Sequence, residues 1–246
     1  MNMKVVIIQS DIKEEKDGNI NKILECTKNF DADIYCLPEL FSTGFNYRNL
    51  AINAETISGQ TIQKLAGTGK TITGTFAEKD NGKLYNTAFF ISEGVLLKTY
   101  RKIHVFDREK SVFSPGNSAE VIKTKFGSFG FLTCYDIRFP EHARKLVLDG
   151  AEILIVPANF PNPKMSHWRL LLPARALENL CYIIAVNRTG SDENNSYFGC
   201  SMIINTAGEV IREAGSGEEV IIHCIDTGEI AAIRKKLSYF SDIVEI

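Results

Sequence analysis

Three residues with useful chemistry sit where apolar, strand-like runs end. Cys134 follows the run FGFLT (129–133) and precedes a polar turn and a helix opened by Pro140. A strand-to-helix turn exposes a side chain at the strand end. It also lets the next backbone N–H, here that of Tyr135, face an oxyanion, and it sets a thiol near a helix N-terminus that favours thiolate. Cys134 reads equally as a small buried hydrophobe, the common fate of a free cysteine. Glu39 lies just past the run DIYCLP, and Lys102 ends the run LKTYR. A carboxylate at the lip of a buried strand suits general-base work, and a lysine there can compensate it and polarise a substrate oxygen. Singly, each reads as a plain surface charge. Together they supply a nucleophile, a base and an oxyanion partner for acyl transfer.

The elements that must position them alternate in type. Lys4–Gln9 is a buried-strand pattern. Gly18–Phe30 has apolar residues at helical spacing, with Asp17 as N-cap, and Asp33–Leu37 is a strand stopped by Pro38. Thr61–Leu65 is a short helix ended by Gly67, and Thr71–Phe76 a strand. Leu84–Ser92 and Val95–Tyr100 form a hairpin about Glu93-Gly94. Ala119–Thr124 and Ser128–Thr133 pair next. They are followed by a helix over Pro140–Leu148 with Gly150 at its end, on which His142 is expected at the surface. Ile153–Pro157 is nearly all apolar, the mark of a strand covered on both faces. His167–Asn179 is helical, Tyr182–Asn187 a strand, and Ser191–Ser196 a polar loop. A hairpin about Ala207-Gly208, a strand over Val220–Asp226 and a helix over Glu229–Leu237 close the chain. Helix-linked strands together with hairpins predict mixed sheets with helices outside.

The chain has 246 residues and a net charge of −2, from 28 Lys+Arg against 30 Asp+Glu. That balance excludes a generally basic surface for phosphate backbones, so no nucleic-acid partner is expected. The apolar run Val5–Ile8 is far below the ~18 residues of a membrane span, and no membrane partner is expected; the six cysteines are read as reduced, in the cytoplasm. None forms a C-x-x-C pair, so no metal site is expected. Gly69-Lys70-Thr71 imitates the end of a phosphate-binding loop, but Lys64 stands where its first glycine belongs and a strand follows in place of a helix.

Pro38-Glu39, YRKIH (100–104) and CYDIRFPE (134–141) resemble, in order and interval, the nitrilase superfamily of carbon-nitrogen hydrolases. Pro157-Ala158-Asn159, Trp168, RALEN (175–179) and the Asn205–Val210 hairpin match as well, so the resemblance runs from Val5 to about Ile225. It implies an α/β fold, a four-layer α-β-β-α sandwich with two mixed sheets, as a single domain over 1–246 that pairs into a homodimer. It implies Glu39 as general base, Cys134 as nucleophile, and Lys102 with the Tyr135 backbone N–H as oxyanion donors. Glu109, seven residues before Gly116, is the candidate for the second glutamate that positions Lys102 or the substrate amide; it also reads as a loop surface charge. No metal or organic cofactor is implied.

Tyr135-Asp136 after the cysteine, where true nitrilases carry Trp-Glu, is similar to the short ω-amidase branch, which deamidates 2-oxoglutaramate and like monoamides of dicarboxylic acids. An N-carbamoyl amino acid or amine amidohydrolase is the second reading. A non-catalytic binding subunit of the same fold is a third, which thiol labelling discriminates: a catalytic Cys134 is alkylated ahead of the other cysteines. Phe41, Phe160 and Trp168 are candidates for the pocket wall, though aromatics also fill cores. Arg138 can bind a substrate carboxylate or serve as a structural ion-pair partner.

Overall fold

Buried strands alternate their side chains between two faces, and here both faces are covered. In the computed structural model, which describes residues 2–237, 240, 242 and 243, the first half runs β1 (Asn2–Gln9), α1 (Lys16–Asn29), β2 (Ile34–Cys36), α2 (Leu50–Asn53), α3 (Gln60–Ala66), β3 (Ile72–Asp80), β4 (Lys83–Ser92) and β5 (Val95–Arg101). The second half begins with β6 (Ile122–Thr124), β7 (Gly127–Phe131), α4 (Pro140–Leu148), β8 (Ile153–Ala158), α5 (Met165–Asn179) and β9 (Tyr182–Asn187). It continues with β10 (Thr189–Ser191), β11 (Ser196–Phe198), β12 (Met202–Ile204), β13 (Val210–Glu213), β14 (Glu219–Asp226) and α6 (Gly228–Lys236). Short 3-10 turns cover Asp107–Ser111 and Cys134–Arg138.

Two six-stranded sheets form, in the orders β14-β1-β2-β3-β4-β5 and β13-β12-β9-β8-β7-β6. Each is mixed: β1-β2-β3 and β7-β8-β9 are parallel, and the outer strands are antiparallel. Val5 and Ile7 of β1 meet Phe129, Ile153 and Ile155 in the core between the sheets. Their neighbours Val6 and Ile8 face Ile20 and Ile23 of α1 and Ile62 and Leu65 of α3. On the far side, Leu154 and Val156 of β8 pack on Leu146 of α4 and on Trp168 and Leu172 of α5. The result is the expected four-layer α-β-β-α sandwich. No helix among the described residues is long and apolar enough to cross a membrane.

Several local expectations need correction. Glu15, not Asp17, precedes α1, and Asp17 pairs instead with Lys64 at 2.8 Å. His142 is buried, because its face of α4 lies over Tyr100 and Asp136 rather than in solvent. The sequence-predicted strands at 119–124 and 128–133 shrink to three and five residues. The polar loop at 191–196 is flanked by an unexpected two-stranded ribbon, β10–β11.

Candidate active site

Both sheets deliver their chemistry at strand ends. After β2, Leu37 N–H donates to Thr73 O (2.8 Å) and Leu40 N–H to Thr75 Oγ1 (2.7 Å). The segment is thereby stitched to β3, and Glu39 turns inward, fully buried. Asn86 Nδ2 donates to Glu39 Oε1 (2.7 Å) and Asn159 N–H, just past β8, to Oε2 (2.9 Å). Lys102 follows β5, and its own N–H donates to Asn86 O (2.9 Å). Its carbonyl accepts from Gly116 N–H (2.9 Å), a close approach that only glycine allows, since a Cβ at 116 would lie 2.0 Å from Arg101 O.

Lys102 Nζ, also fully buried, donates to Glu39 Oε1 at 2.8 Å and to both Glu109 oxygens at 3.0 and 2.9 Å. Glu109 is brought there by the 3-10 turn, so the residue that could have been a loop surface charge is instead interior. Burial raises the Glu109 carboxyl to about 7; Lys102 opposes that rise and the Glu39 charge adds to it. Burial alone would lower the Lys102 ammonium, but the Glu109 and Glu39 carboxylates outweigh it and hold the group well above its ordinary value.

Cys134 begins the turn after β7 with φ +49°. A non-glycine residue in the left-handed region costs of order 1–3 kcal/mol and persists where the surroundings over-determine it. Here Asp136 Oδ2 accepts from Thr133 N–H (2.8 Å), Phe139 N–H donates to Asp136 O (3.0 Å), and Arg175 Nε of α5 donates to Ile137 O (3.0 Å). The expected lowering of the thiol pKa does not occur. Burial and the Glu39 charge push the Cys134 thiol well up, against Lys102 and a backbone hydrogen bond from Asn159.

Cys134 opens on a cavity of about 440 Å³ whose wall includes Glu109, Tyr135, Arg138, Asn159 and Phe160. Phe41 and Trp168, both expected on that wall, are core residues. Phe41 packs on Phe89 under the first sheet, and Trp168 stands behind Phe160 with Nε1–H donating to Cys200 O (2.9 Å). Arg138 makes no ion pair among the described residues; its Nη2 donates to His167 Nδ1 (3.1 Å), and its guanidinium lies 5.5 Å from the Phe160 ring centroid. Lys164, which sequence reasoning passed over, holds Nζ 4.6 Å from the Phe106 centroid on the same cavity and also lacks a carboxylate partner among the described residues. The cavity therefore offers three cations without an ion pair among the described residues, Arg138, Lys164 and Arg108, whose Nη1 donates to Asn194 Oδ1 (3.0 Å), beside the Cys134 thiol, with the buried Glu39–Lys102–Glu109 cluster behind it.

Asn86, Asn159 and Asp136 were likewise missed. For Asp136 a signal existed, because an acid three residues after the residue that caps a turn, here Thr133, can reach back to that residue's N–H.

Residues 4–235 match the carbon-nitrogen hydrolase family. A 2-oxoglutaramate amidase of Bacillus subtilis is 37% identical over 220 residues, 86% of this chain and 85% of that protein. Omega-amidase NIT2 of Xenopus tropicalis is 36% identical over 251 residues, 95% of this chain and 91% of its own. Among solved structures, a CN-hydrolase superfamily protein from Xanthomonas campestris, with an arsenic adduct in its active site, superposes with a TM-score of 0.91 at 26% identity, covering 100% of this chain and 98% of that one.

Proposed function

The chain belongs to the carbon-nitrogen hydrolase family, and from that premise we propose that it is an ω-amidase, hydrolysing monoamides of short dicarboxylic acids such as 2-oxoglutaramate to the acid and ammonia. The observation that carries this reading is the set of cations without an ion pair among the described residues, Arg138, Lys164 and Arg108, on the cavity that opens on Cys134. A substrate with an amide at one end and a carboxylate at the other matches that layout, and charge-assisted hydrogen bonds are the strong ones. The names of the amidase relatives support the same substrate class.

In the proposed mechanism Glu39 takes the thiol proton as Cys134 attacks the amide carbon. The raised thiol pKa makes a base necessary at that moment. Lys102 and the Tyr135 N–H stabilise the oxyanion, and Glu109 holds Lys102 in place. The leaving nitrogen takes the proton back from Glu39 and departs as ammonia. A water activated by the same carboxylate then cleaves the thioester and frees Cys134. No step calls for a metal or organic cofactor. We further infer a homodimer in a reducing, cytoplasmic setting. Leu170 and Leu177 stand exposed on α5, available to a second copy, and the six cysteines are unpaired.

The test is ammonia release from 2-oxoglutaramate, glutamine, aliphatic amides, N-carbamoyl amino acids and nitriles, by the wild type and Cys134→Ala. The expected result is turnover of 2-oxoglutaramate above the others and none by the folded alanine variant. Activity confined to N-carbamoyl compounds overturns the substrate class, and full activity of Cys134→Ala overturns the nucleophile.

A further inference from the structure

Asp136 takes no part in the mechanism above, yet it is fully buried and its carboxylate is saturated by four donors. Oδ2 accepts from Thr133 N–H and Tyr100 O–H, both at 2.8 Å. Oδ1 accepts from His104 N–H at 3.1 Å and from His104 Nδ1 at 2.7 Å, which as a donor to a carboxylate carries the proton. Tyr100 Oη in turn accepts from Ile103 N–H at 3.0 Å. His104 stacks on Phe139, the residue that follows the Cys134–Arg138 turn, with ring centroids 3.6 Å apart.

The sequence positions of these donors matter. Tyr100 lies two residues before Lys102, and Ile103 and His104 directly follow it. Thr133 precedes Cys134, and Asp136 follows it by two. Lys102 comes from the first sheet and Cys134 from the second, so their separation depends on how the sheets' ends are tied. We propose that Asp136 is a positioning residue, a clamp whose carboxylate fixes both flanks of Lys102 to both flanks of Cys134 and so sets the distance from ammonium to thiol. The proposal rests on the roles given above to Lys102 and Cys134.

A carboxylate is the one group of this size that accepts on both atoms. In Asp136→Asn, the amide nitrogen must face one of the two donor pairs. Tyr100 Oη and His104 Nδ1 can each adapt, by rotating the hydroxyl or changing tautomer. Thr133 N–H and His104 N–H cannot, so one backbone donor is orphaned whichever way the amide lies. One orphan loosens the Cys134 side and the other the Lys102 side. A misplacement of about 1 Å costs on the order of 10² in rate.

The experiment measures kcat and KM for 2-oxoglutaramate in Asp136→Asn and in Tyr100→Phe, which removes one donor to Asp136 together with the acceptor of Ile103 N–H. It adds the pH dependence of Cys134 alkylation by iodoacetamide, at a temperature where circular dichroism shows each variant folded. Expected for Asp136→Asn is a kcat lowered at least tenfold with KM within about threefold. The alkylation midpoint should move to higher pH, because Lys102 lowers the Cys134 pKa and has moved away. Tyr100→Phe is expected to show the same pattern more weakly, and it carries the test if Asp136→Asn does not fold. Wild-type kcat and an unmoved alkylation midpoint in the folded variants overturn the clamp, as does a loss of rate that follows the folded fraction alone. Cys134→Ala separates the two levels. Its inactivity beside a fully active Asp136→Asn refutes the clamp only, whereas an active Cys134→Ala refutes the catalytic reading on which the clamp rests.

Discussion

Replacing Glu109 with Gln changes stability with a pH dependence whose sign the structure fixes. Both Glu109 oxygens lie about Lys102 Nζ, at 3.0 and 2.9 Å, and both residues are buried. Burial, relieved by Lys102 and reinforced by Glu39, carries the carboxyl from 4.5 to about 7. That displacement corresponds to a preference for the protonated form of about 3 kcal/mol, taking ~1.36 kcal/mol for each tenfold change in proton affinity. The sign follows from linkage. Below pH 4.5 Glu109 is protonated in the folded and the unfolded chain alike. Between 4.5 and 7 only the unfolded chain gives up the proton, so the folded protein loses stability as pH rises, and the loss is complete just above 7. Carboxyls held low, such as Glu55 beside Lys16, work in the opposite direction and at lower pH. Glutamine cannot ionise, so the stability difference between wild type and Glu109→Gln isolates the one group. Urea denaturation at half-unit steps from pH 4.5 to 8 is expected to show wild type losing about 3 kcal/mol relative to the variant. Parallel curves, constant to within about 0.5 kcal/mol, would refute the assignment of that pKa to Glu109. Turnover supplies a second reading. Glutamine offers one acceptor to Nζ where the carboxylate offered two, and kcat is expected to fall by on the order of 10² from lost positioning.

Lys164→Glu is expected to raise KM for 2-oxoglutaramate about tenfold or more, in the range of a charge-assisted hydrogen bond, while leaving turnover of a neutral amide such as propionamide within about twofold; equal effects on both substrates count against charge recognition. Phe41→Ala removes a ring that lies in the core and off the cavity. It is expected to cost about 3–5 kcal/mol in urea denaturation and to leave KM within about twofold, and a selective rise in KM would return Phe41 to the pocket wall.

Strands buried on both faces announce themselves, because every position of a run such as Val5–Ile8 must be apolar whichever way it points. The runs around β1, β8 and β9 were legible for that reason. Features set by contacts distant in sequence were not. The β10–β11 ribbon has three residues a side and is anchored by Thr189 N–H on Ser10 O, nearly 180 residues away. His142 read as a surface residue, yet it shares the face of α4 that buries Ala143, Leu146 and Val147, and it lies over Tyr100 and Asp136. Within the site, Glu39, Lys102 and Cys134 were legible as reactive types at strand ends. Glu109 was legible only through a resemblance, since a loop acid carries no periodic signal. Aromatic type alone could not separate Phe160, on the cavity, from Trp168 directly behind it.

The electrostatics explain why this cysteine can be reactive without being a standing thiolate. Burial also raises the thiols of Cys36 and Cys181, the latter to about 12, so a raised pKa does not distinguish Cys134 from packing cysteines. What distinguishes it is the company of Glu39, Lys102 and Glu109 and its place on the cavity wall. With all three ionised, that trio carries one excess negative charge. The charge disfavours a thiolate at rest and leaves Glu39 Oε1 and Oε2 held by Asn86, Asn159 and Lys102 as a preformed acceptor. In the mechanism proposed above, substrate binding changes the balance, because an oxyanion beside Lys102 takes up positive potential that the resting thiol cannot use. On that mechanism the nucleophile is generated in the step that consumes it.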